Sequence, residues 1–217
     1  MRKTILALTA SGAVAAFGAT ASLAVTNDNP PIFQSLDPAS VESGTYATDP
    51  AHTLVEWRVS HFGFNDYFGL FGDAEGTLEL DTENMANTSV DVRIPINSLA
   101  VVSSGLREHM LRPGADGGAP DFFGPDADDA RFVSTAIHQT SETTAHIIGD
   151  LTLNGQTNQV TLDAEFSGSG DNPFNQRTTV GFHATTTIMR SEFGMNYAVP
   201  AIGDEVVLDI TVAFEKQ

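Results

Sequence analysis

The sequence predicts an all-β domain, an antiparallel barrel or sandwich of about eight strands. Two observations support this fold class. Apolar and polar residues alternate along many short segments, as they do in half-buried strands, and turn signals such as Asn154-Gly155 separate these segments. The segment 53–61 shows the pattern best, because its apolar face carries Val55, Trp57, Val59 and His61.

The same alternation predicts strands along most of the remaining chain. Two segments break the rhythm. Residues 65–71 are rich in aromatic residues and look too irregular for a strand, whereas Ser104–Arg112 is the best helical candidate, and we expect both to form a short lid or plug. The further predicted strands are 73–80, 90–96, 131–138, 147–153, 160–166, 180–188 and 206–215.

A closed barrel of about eight strands has room either for packed side chains or for one small ligand. Small residues at inward positions would leave volume inside, whereas Trp57 and the phenylalanines could fill it as ordinary core. Alternation alone leaves both possibilities open. The small inward residues are Ala74, Gly76, Gly149, Ala164 and Ala184.

Residues 1–24 have the pattern of a cleaved signal peptide. Arg2 and Lys3 precede an uncharged apolar run from Ile5 to Ala19, and small residues follow. A membrane anchor is the alternative, but this run is shorter than the roughly 20 residues that a spanning helix needs. We therefore expect a periplasmic or secreted protein with a flexible linker at 25–43 and a barrel domain at 44–217.

Composition argues against several functions. The net charge of −18 disfavours nucleic acid and polyanionic membrane surfaces as partners. The chain has no cysteine, and its six histidines lack metal-ligand spacing. It also contains neither a G-x-S-x-G motif nor a phosphate-binding glycine loop. We expect no metal, no cofactor and no catalytic residue.

Nine short motifs occur in order over nearly all of 44–216, and with them the chain resembles the YceI family, the lipocalin-like polyisoprenoid-binding proteins of the bacterial periplasm. The motifs are Tyr46-x-x-Asp49-x-x-His52-Thr53, Val59-Ser60-His61-Phe62-Gly63, Gly69-x-Phe71, Arg107-Glu108-x-Met110-Leu111, Asp121-Phe122-Phe123, Arg131-Phe132-x-Ser134, Gly149-Asp150-Leu151-Thr152-Leu153-Asn154-Gly155, Arg190-Ser191-Glu192-Phe193-Gly194-Met195 and Gly203-Asp204-Glu205-Val206.

The resemblance implies an eight-stranded antiparallel lipocalin-like barrel whose lumen holds a long apolar chain, such as a quinone tail or a polyprenyl lipid. It implies no metal and no established reaction. The segment 113–120 looks like an insertion, which we expect to lengthen a loop at a cavity mouth.

Candidate ligand contacts come from the first strand, the motifs and the irregular segments. His61 and His109 could hydrogen-bond the head group of a ligand. Arg107 and Arg190 could contact a phosphate or carbonyl of the ligand, or could instead form ion pairs within the protein. The aromatic residues outside the strands suit a lipid gate, a hydrophobic plug or a dimer patch. The predicted ligand-binding set is Trp57, Val59, His61, Phe62, Phe68, Phe71, Arg107, His109, Phe122, Phe123, Phe132, Arg190, Phe193 and Met195.

The favoured interpretation is an exported, non-enzymatic carrier of an amphiphilic isoprenoid or fatty-chain ligand. It has no nucleic acid partner and no stable membrane insertion, and a homodimer is an open alternative. A second hypothesis is an enzyme acting on a lipid or quinone with His61 or His109 as acid or base. A third is a structural or stress-protective barrel filled by its own side chains.

Overall fold

The structure, a computed structural model, describes residues 34–217. The predicted signal peptide and the first part of the predicted linker lie outside the described residues. The described chain is almost entirely β. The strands are β1 (Gly44–Thr48), β2 (Leu54–His61), β3 (Asn65–Phe71), β4 (Glu75–Leu80), β5 (Ser89–Ile94), β6 (Ala130–Gln139), β7 (Thr144–Leu153), β8 (Gln156–Asp171), β9 (Thr178–Met189) and β10 (Ile202–Lys216), and the helix is α1 (Ser104–Leu111).

Eight of these strands close into an antiparallel barrel. β4 to β10 pair in sequence order, and β1 closes the sheet because it pairs with β4 on one side and with β10 on the other. Tyr46 shows the closure, since it lies opposite Leu78 of β4 and opposite Lys216 of β10. The predicted eight-stranded antiparallel barrel is thus confirmed, as is its short helix.

β2 and β3 extend the sheet beyond the closed barrel. β2 pairs with β10, and β3 pairs with β2 from Val55–Phe71 to His61–Asn65. The prediction that 65–71 is too irregular for a strand is therefore wrong. Pairing with β2 along its whole length forms this strand despite its poor alternation, because tertiary context overrides local pattern.

The two ends of the barrel differ. At the α1 end, the barrel carries the β2–β3 turn, the long connection 95–129 with α1, the β7–β8 turn and the segment 190–201. The opposite end, here called the open end, carries the connections 81–88, 140–143 and 172–177 and the segment 34–43. The segment 113–120 therefore lies at the α1 end.

Helix α1 is the one α-helix among the described residues, and it forms where the sequence predicts it. The Ser103 hydroxyl caps it by accepting a 3.2 Å hydrogen bond from the Leu106 amide. Met110 is its buried residue and joins the core cluster at this end of the barrel. Within 34–217, no helix combines the length and apolar character that crossing a bilayer requires.

Residues 34–43, in the predicted linker, pack against the barrel. Ser35 and Ser169 of β8 exchange backbone hydrogen bonds of 2.6 and 2.9 Å, and the Gln34 side chain donates to the Ser167 carbonyl. Asp37 then caps a short 3-10 turn at Pro38–Ser40. The domain boundary at residue 44 stays a prediction, but this segment brings side chains to the open end.

Candidate ligand-binding cavity

The barrel encloses a cavity of about 700 Å³. Such a volume is within the usual range for small-molecule sites. Alternate residues of the barrel strands form its wall, as β10 illustrates with Leu208, Ile210, Val212 and Phe214. The strand periodicity that buries one face of each strand therefore also builds the cavity wall.

Small side chains leave this space. Ala164 of β8 and Ala184 of β9 lie opposite each other in the sheet, and both line the cavity with Ala74. The structure thus favours the cavity over the alternative of a barrel filled by its own side chains. Gly149 contributes differently. A Cβ there would collide with the ring of Phe132, so the glycine lets that ring approach β7 closely.

The cavity has an apolar floor at the α1 end and opens at the other end, where its polar lining residues lie. Phe71, Ile96 and Phe123 line the floor. Five polar residues form the rim, and here the word rim means Asp37, Thr82, Gln139, Glu142 and Thr143.

Three of the predicted ligand-binding residues line the cavity, namely Phe71, Phe123 and Phe132. The Phe71 and Phe123 rings meet edge to face with centroids 5.9 Å apart. These three aromatic side chains belong to the floor and the adjoining wall, so they are placed to contact the inner end of an apolar ligand.

Four further predicted residues are packed into the core at the α1 end and are not among the residues that line the cavity. Trp57 is 7% exposed and stacks on Tyr67 with ring centroids 6.3 Å apart. Its indole Nε1 is buried and has no partner among residues 34–217. Phe193 and Met195 are buried, and Val59 packs against the same cluster.

Arg190 is 4% exposed and donates all of its hydrogen bonds to backbone carbonyls. Burial lowers the pKa of its guanidinium from the ordinary value, while Asp204 opposes this shift. Neither sequence interpretation of Arg190, a ligand contact or an ion pair, describes these bonds: the guanidinium holds the 190–203 segment together. Its partners are the carbonyls of Met195 at 2.7 Å, Gly203 at 2.8 Å, Tyr197 at 2.9 Å and Ile202 at 3.0 Å.

His109 of α1 joins the helix to the Asp121 segment. Its Nε2 donates to Asp121 Oδ2 at 2.8 Å, and Arg112 donates to the same oxygen at 3.1 Å. The hydrogen bond from His109, followed by that from Arg112, lowers the pKa of the Asp121 carboxyl. The His109 ring also packs edge to face on Phe122 and Tyr197, with centroids 5.3 and 4.9 Å away. Neither His109 nor Phe122 lines the cavity.

The remaining predicted contacts also lie at the α1 end. Arg107 donates to the carbonyls of Leu99 and Asn97 at 3.0 and 3.2 Å. In the β2–β3 hairpin, Phe62 is 51% and Phe68 60% exposed, and His61 packs against Phe62.

The sequence places these groups at a cavity mouth, whereas the opening lies at the opposite end of the barrel. The segment 113–120 is likewise remote from the opening. Contact between these residues and a ligand stays a prediction.

The predicted set omits most of the cavity wall. Alternation along the strands already placed these residues on one face, so the signal was present, but the selection followed motif residues instead. Thr53 and the rim were also omitted. Strand alternation does not point to the rim, because four of its five residues lie in connections and the fifth, Gln139, is the last residue of β6. The omitted wall residues include Leu78, Leu80, Val90, Val92, Ile94, Ile147, Leu151, Leu153, Val160, Leu162, Phe166, Phe182, Ile188 and the four residues of β10.

Within residues 34–217, no cluster of three His, Asp or Glu side chains has the geometry to hold a metal ion.

The YceI-like domain family matches residues 46–214 of this chain. The chain belongs to that family. Among curated relatives of this YceI-like protein, a UPF0312 protein of Pseudomonas putida (strain W619) is 34% identical over 167 residues, which are 76% of this chain and 82% of the relative. A UPF0312 protein of Pseudomonas fluorescens (strain SBW25) is 33% identical over the same shares.

Solved structures share the fold of this YceI-like protein at lower identity. Burkholderia cenocepacia BcnA superposes with a TM-score of 0.64 at 20% identity, over 76% of this chain and 98% of that one. A Campylobacter jejuni YCEI protein gives 0.61 at 22% identity, over 84% and 97%. A polyisoprenoid binding domain from Saccharophagus degradans gives 0.54 at 12% identity, over 81% and 100%.

Proposed function

We propose that this YceI-like protein is an exported binding protein that sequesters or carries a long-chain isoprenoid-like lipid, of quinone or polyprenyl type, inside the barrel. The observation that carries the proposal is the open apolar cavity of about 700 Å³. The fold shared with the polyisoprenoid binding domain from Saccharophagus degradans supports the same ligand class.

The apolar wall supplies the driving force for binding. Each CH₂-sized group that leaves water contributes roughly 0.8 kcal/mol, so several isoprene units outweigh a single polar contact even after ordering costs. The length and width of the cavity should therefore set which chains bind, and polar groups should tune affinity.

The lining supports binding over catalysis. Its titratable side chains are Asp37 and Glu142, and both belong to the rim. General acid–base chemistry needs a titratable group within hydrogen-bond reach of the reacting atoms. The histidines of the enzyme hypothesis, His61 and His109, do not line the cavity.

Export is proposed from the sequence. The basic residues Arg2 and Lys3, followed by the apolar run to Ala19, have the pattern of a signal peptide for secretion. A location in the periplasm or outside the cell would bring the barrel into contact with lipids released from membranes.

Native mass spectrometry of the protein isolated from its own host, followed by organic extraction, tests the proposal. We expect a discrete additional mass that extracts as a prenyl lipid, and we expect the lipid-free protein to take up an added quinone. Ala184→Phe is the matched variant, because a ring opposite Ala164 would occupy the cavity. It should bind at least about tenfold more weakly.

A lipid-free mass after gentle isolation, with no uptake of quinone by the wild type, would contradict the proposal. Chemical change of the quinone during incubation would favour the enzyme hypothesis instead.

A further inference from the structure

The cavity wall contains no cation. Neither lysine nor arginine lines it. Most basic side chains of residues 34–217 already bind other groups of the protein. Arg107 and Arg190 donate hydrogen bonds to backbone carbonyls. Arg58 is instead exposed on β2. The others pair with carboxylates, namely Arg93 with Asp129, Arg112 with Asp121, Arg131 with Asp91, Arg177 with Glu215 and Lys216 with Glu42.

The rim adds negative charge at the opening. Asp37 and Glu142 line the cavity there. Asp37 accepts a hydrogen bond from the Ala39 amide at 2.9 Å, and Glu142 forms no ion pair within 34–217. An anionic group held at the opening would therefore face two carboxylates and no cation among the residues that line the cavity.

Thr53 carries a buried hydroxyl in the cavity wall. It lines the cavity, is 2% exposed, and its Oγ1 has no hydrogen-bond partner within 34–217. Leu54 pairs with Thr211 of β10, so Thr53 lies part-way along the wall rather than at the rim. A buried hydroxyl without a partner destabilises the fold, and a ligand carbonyl or hydroxyl at this point would remove that cost.

We infer that the cavity selects isoprenoid-like ligands whose polar group is uncharged, such as a prenol or a quinone, over prenyl phosphates, and that the Thr53 hydroxyl is the hydrogen-bond partner of that group. The inference rests on the proposed function. At the rim, a phosphate would meet carboxylates. Beside Thr53, it would lose its hydration with no cation nearby, which is costly for an anion. A neutral oxygen incurs neither cost.

Competition binding separates this inference from the proposed function. The probes are geranylgeraniol and geranylgeranyl diphosphate, which share one prenyl chain, and each displaces a fluorescent apolar reporter from the lipid-free protein. We expect the prenol to bind at least about tenfold tighter than the diphosphate. Glu142→Lys should reduce the ratio of the prenol affinity to the diphosphate affinity. Raised salt should reduce the same ratio in the wild type, since salt screens exposed charges.

Equal or tighter binding of the diphosphate would overturn the inference while leaving lipid binding intact. If neither compound displaces the reporter, the proposed function fails as well, and the inference fails with it.

The role of Thr53 has its own test. Thr53→Val keeps the side-chain shape and removes the hydroxyl, so the affinity for geranylgeraniol should fall by about fivefold. The affinity for the parent hydrocarbon, which lacks the hydroxyl, should stay unchanged. Thr186→Val, which alters another threonine of the cavity wall, is the matched control. If the affinities for the prenol and for the hydrocarbon respond alike to Thr53→Val, Thr53 is not the polar partner.

Discussion

The two ends of the barrel use polar chemistry in opposite ways. At the α1 end, the polar side chains bind other groups of the protein, so this end is closed. Arg190 donates to backbone carbonyls, and His109 donates to Asp121. At the open end, Asp37, Glu142 and their neighbours on the rim face solvent and the cavity. The polar residues that stand out as sequence motifs therefore belong to the end that closes the barrel. The end that can admit a ligand is formed by connections and by strand residues that follow the ordinary alternation of a barrel.

The largest change in stability is expected from a substitution that disrupts the closed end. Arg190→Met removes a buried donor that serves four backbone carbonyls, so the free energy of unfolding should fall by about 3 kcal/mol or more. Urea unfolding measures this. Arg93→Met is the matched control, since the exposed pair with Asp129 contributes under about 1 kcal/mol. Similar losses in both variants would show that Arg190 does not hold the closed end.

A smaller effect is expected where the closed end meets the cavity wall. In Gly149→Ala the new methyl group would collide with the Phe132 ring and lie 2.6 Å from the Val133 carbonyl oxygen, so Phe132, which lines the cavity, must shift. We expect a loss of about 1–3 kcal/mol in unfolding free energy, together with weaker uptake of apolar ligand.

Gly105→Ala provides the comparison for Gly149→Ala. A methyl group there meets no atom within 4 Å, and alanine favours the helix that contains it. Stability should be unchanged or slightly higher. A Gly149→Ala protein with normal stability and normal ligand uptake would contradict the packing of Phe132.

A third effect should depend on pH. The pKa of Asp121 is lowered in the folded protein, so folding favours its charged form. That stabilisation is present above the ordinary carboxyl pKa of about 3.9 and is lost as the pH falls through the lowered folded value. The urea midpoint of the wild type should therefore drop at acidic pH, and Asp121→Asn should flatten this part of the profile. Asp128→Asn, at an exposed carboxylate, should leave the profile as in the wild type; identical profiles for both variants would exclude a role for the His109–Asp121 pair.

The smallest effect is expected for the ligand affinity of a variant at the α1 end, and it tests whether this end also contacts the ligand. His61 does not line the cavity, so His61→Ala should keep the affinity for an added quinone within about twofold of the wild type. Fluorescence competition measures the affinity. A large loss would place the ligand's polar group beside His61 and restore the sequence-based prediction for this residue.

The sequence predicted the barrel well because alternation reports which face of a strand is buried. Val90 and Val92, for example, lie on the predicted face and line the cavity. The same periodicity says nothing about height along the barrel axis, which depends on which strand ends are joined. His61 and Arg190 were therefore predicted at a mouth although they lie at the closed end. β3 was missed because its partner β2, rather than its own pattern, makes it a strand.

The short turn at Pro38–Ser40 has a consequence for how ligand preference could diversify. Asp37, Pro38, Ala39 and Val41 line the cavity, yet the family match begins only at residue 46. One part of the cavity opening thus lies outside the stretch that the family match covers, while the other four rim residues lie within it. Exchanging residues 37–41 between relatives would change the side chains that border part of the opening, while the backbone pairing of Ser35 with Ser169 keeps the segment attached to β8.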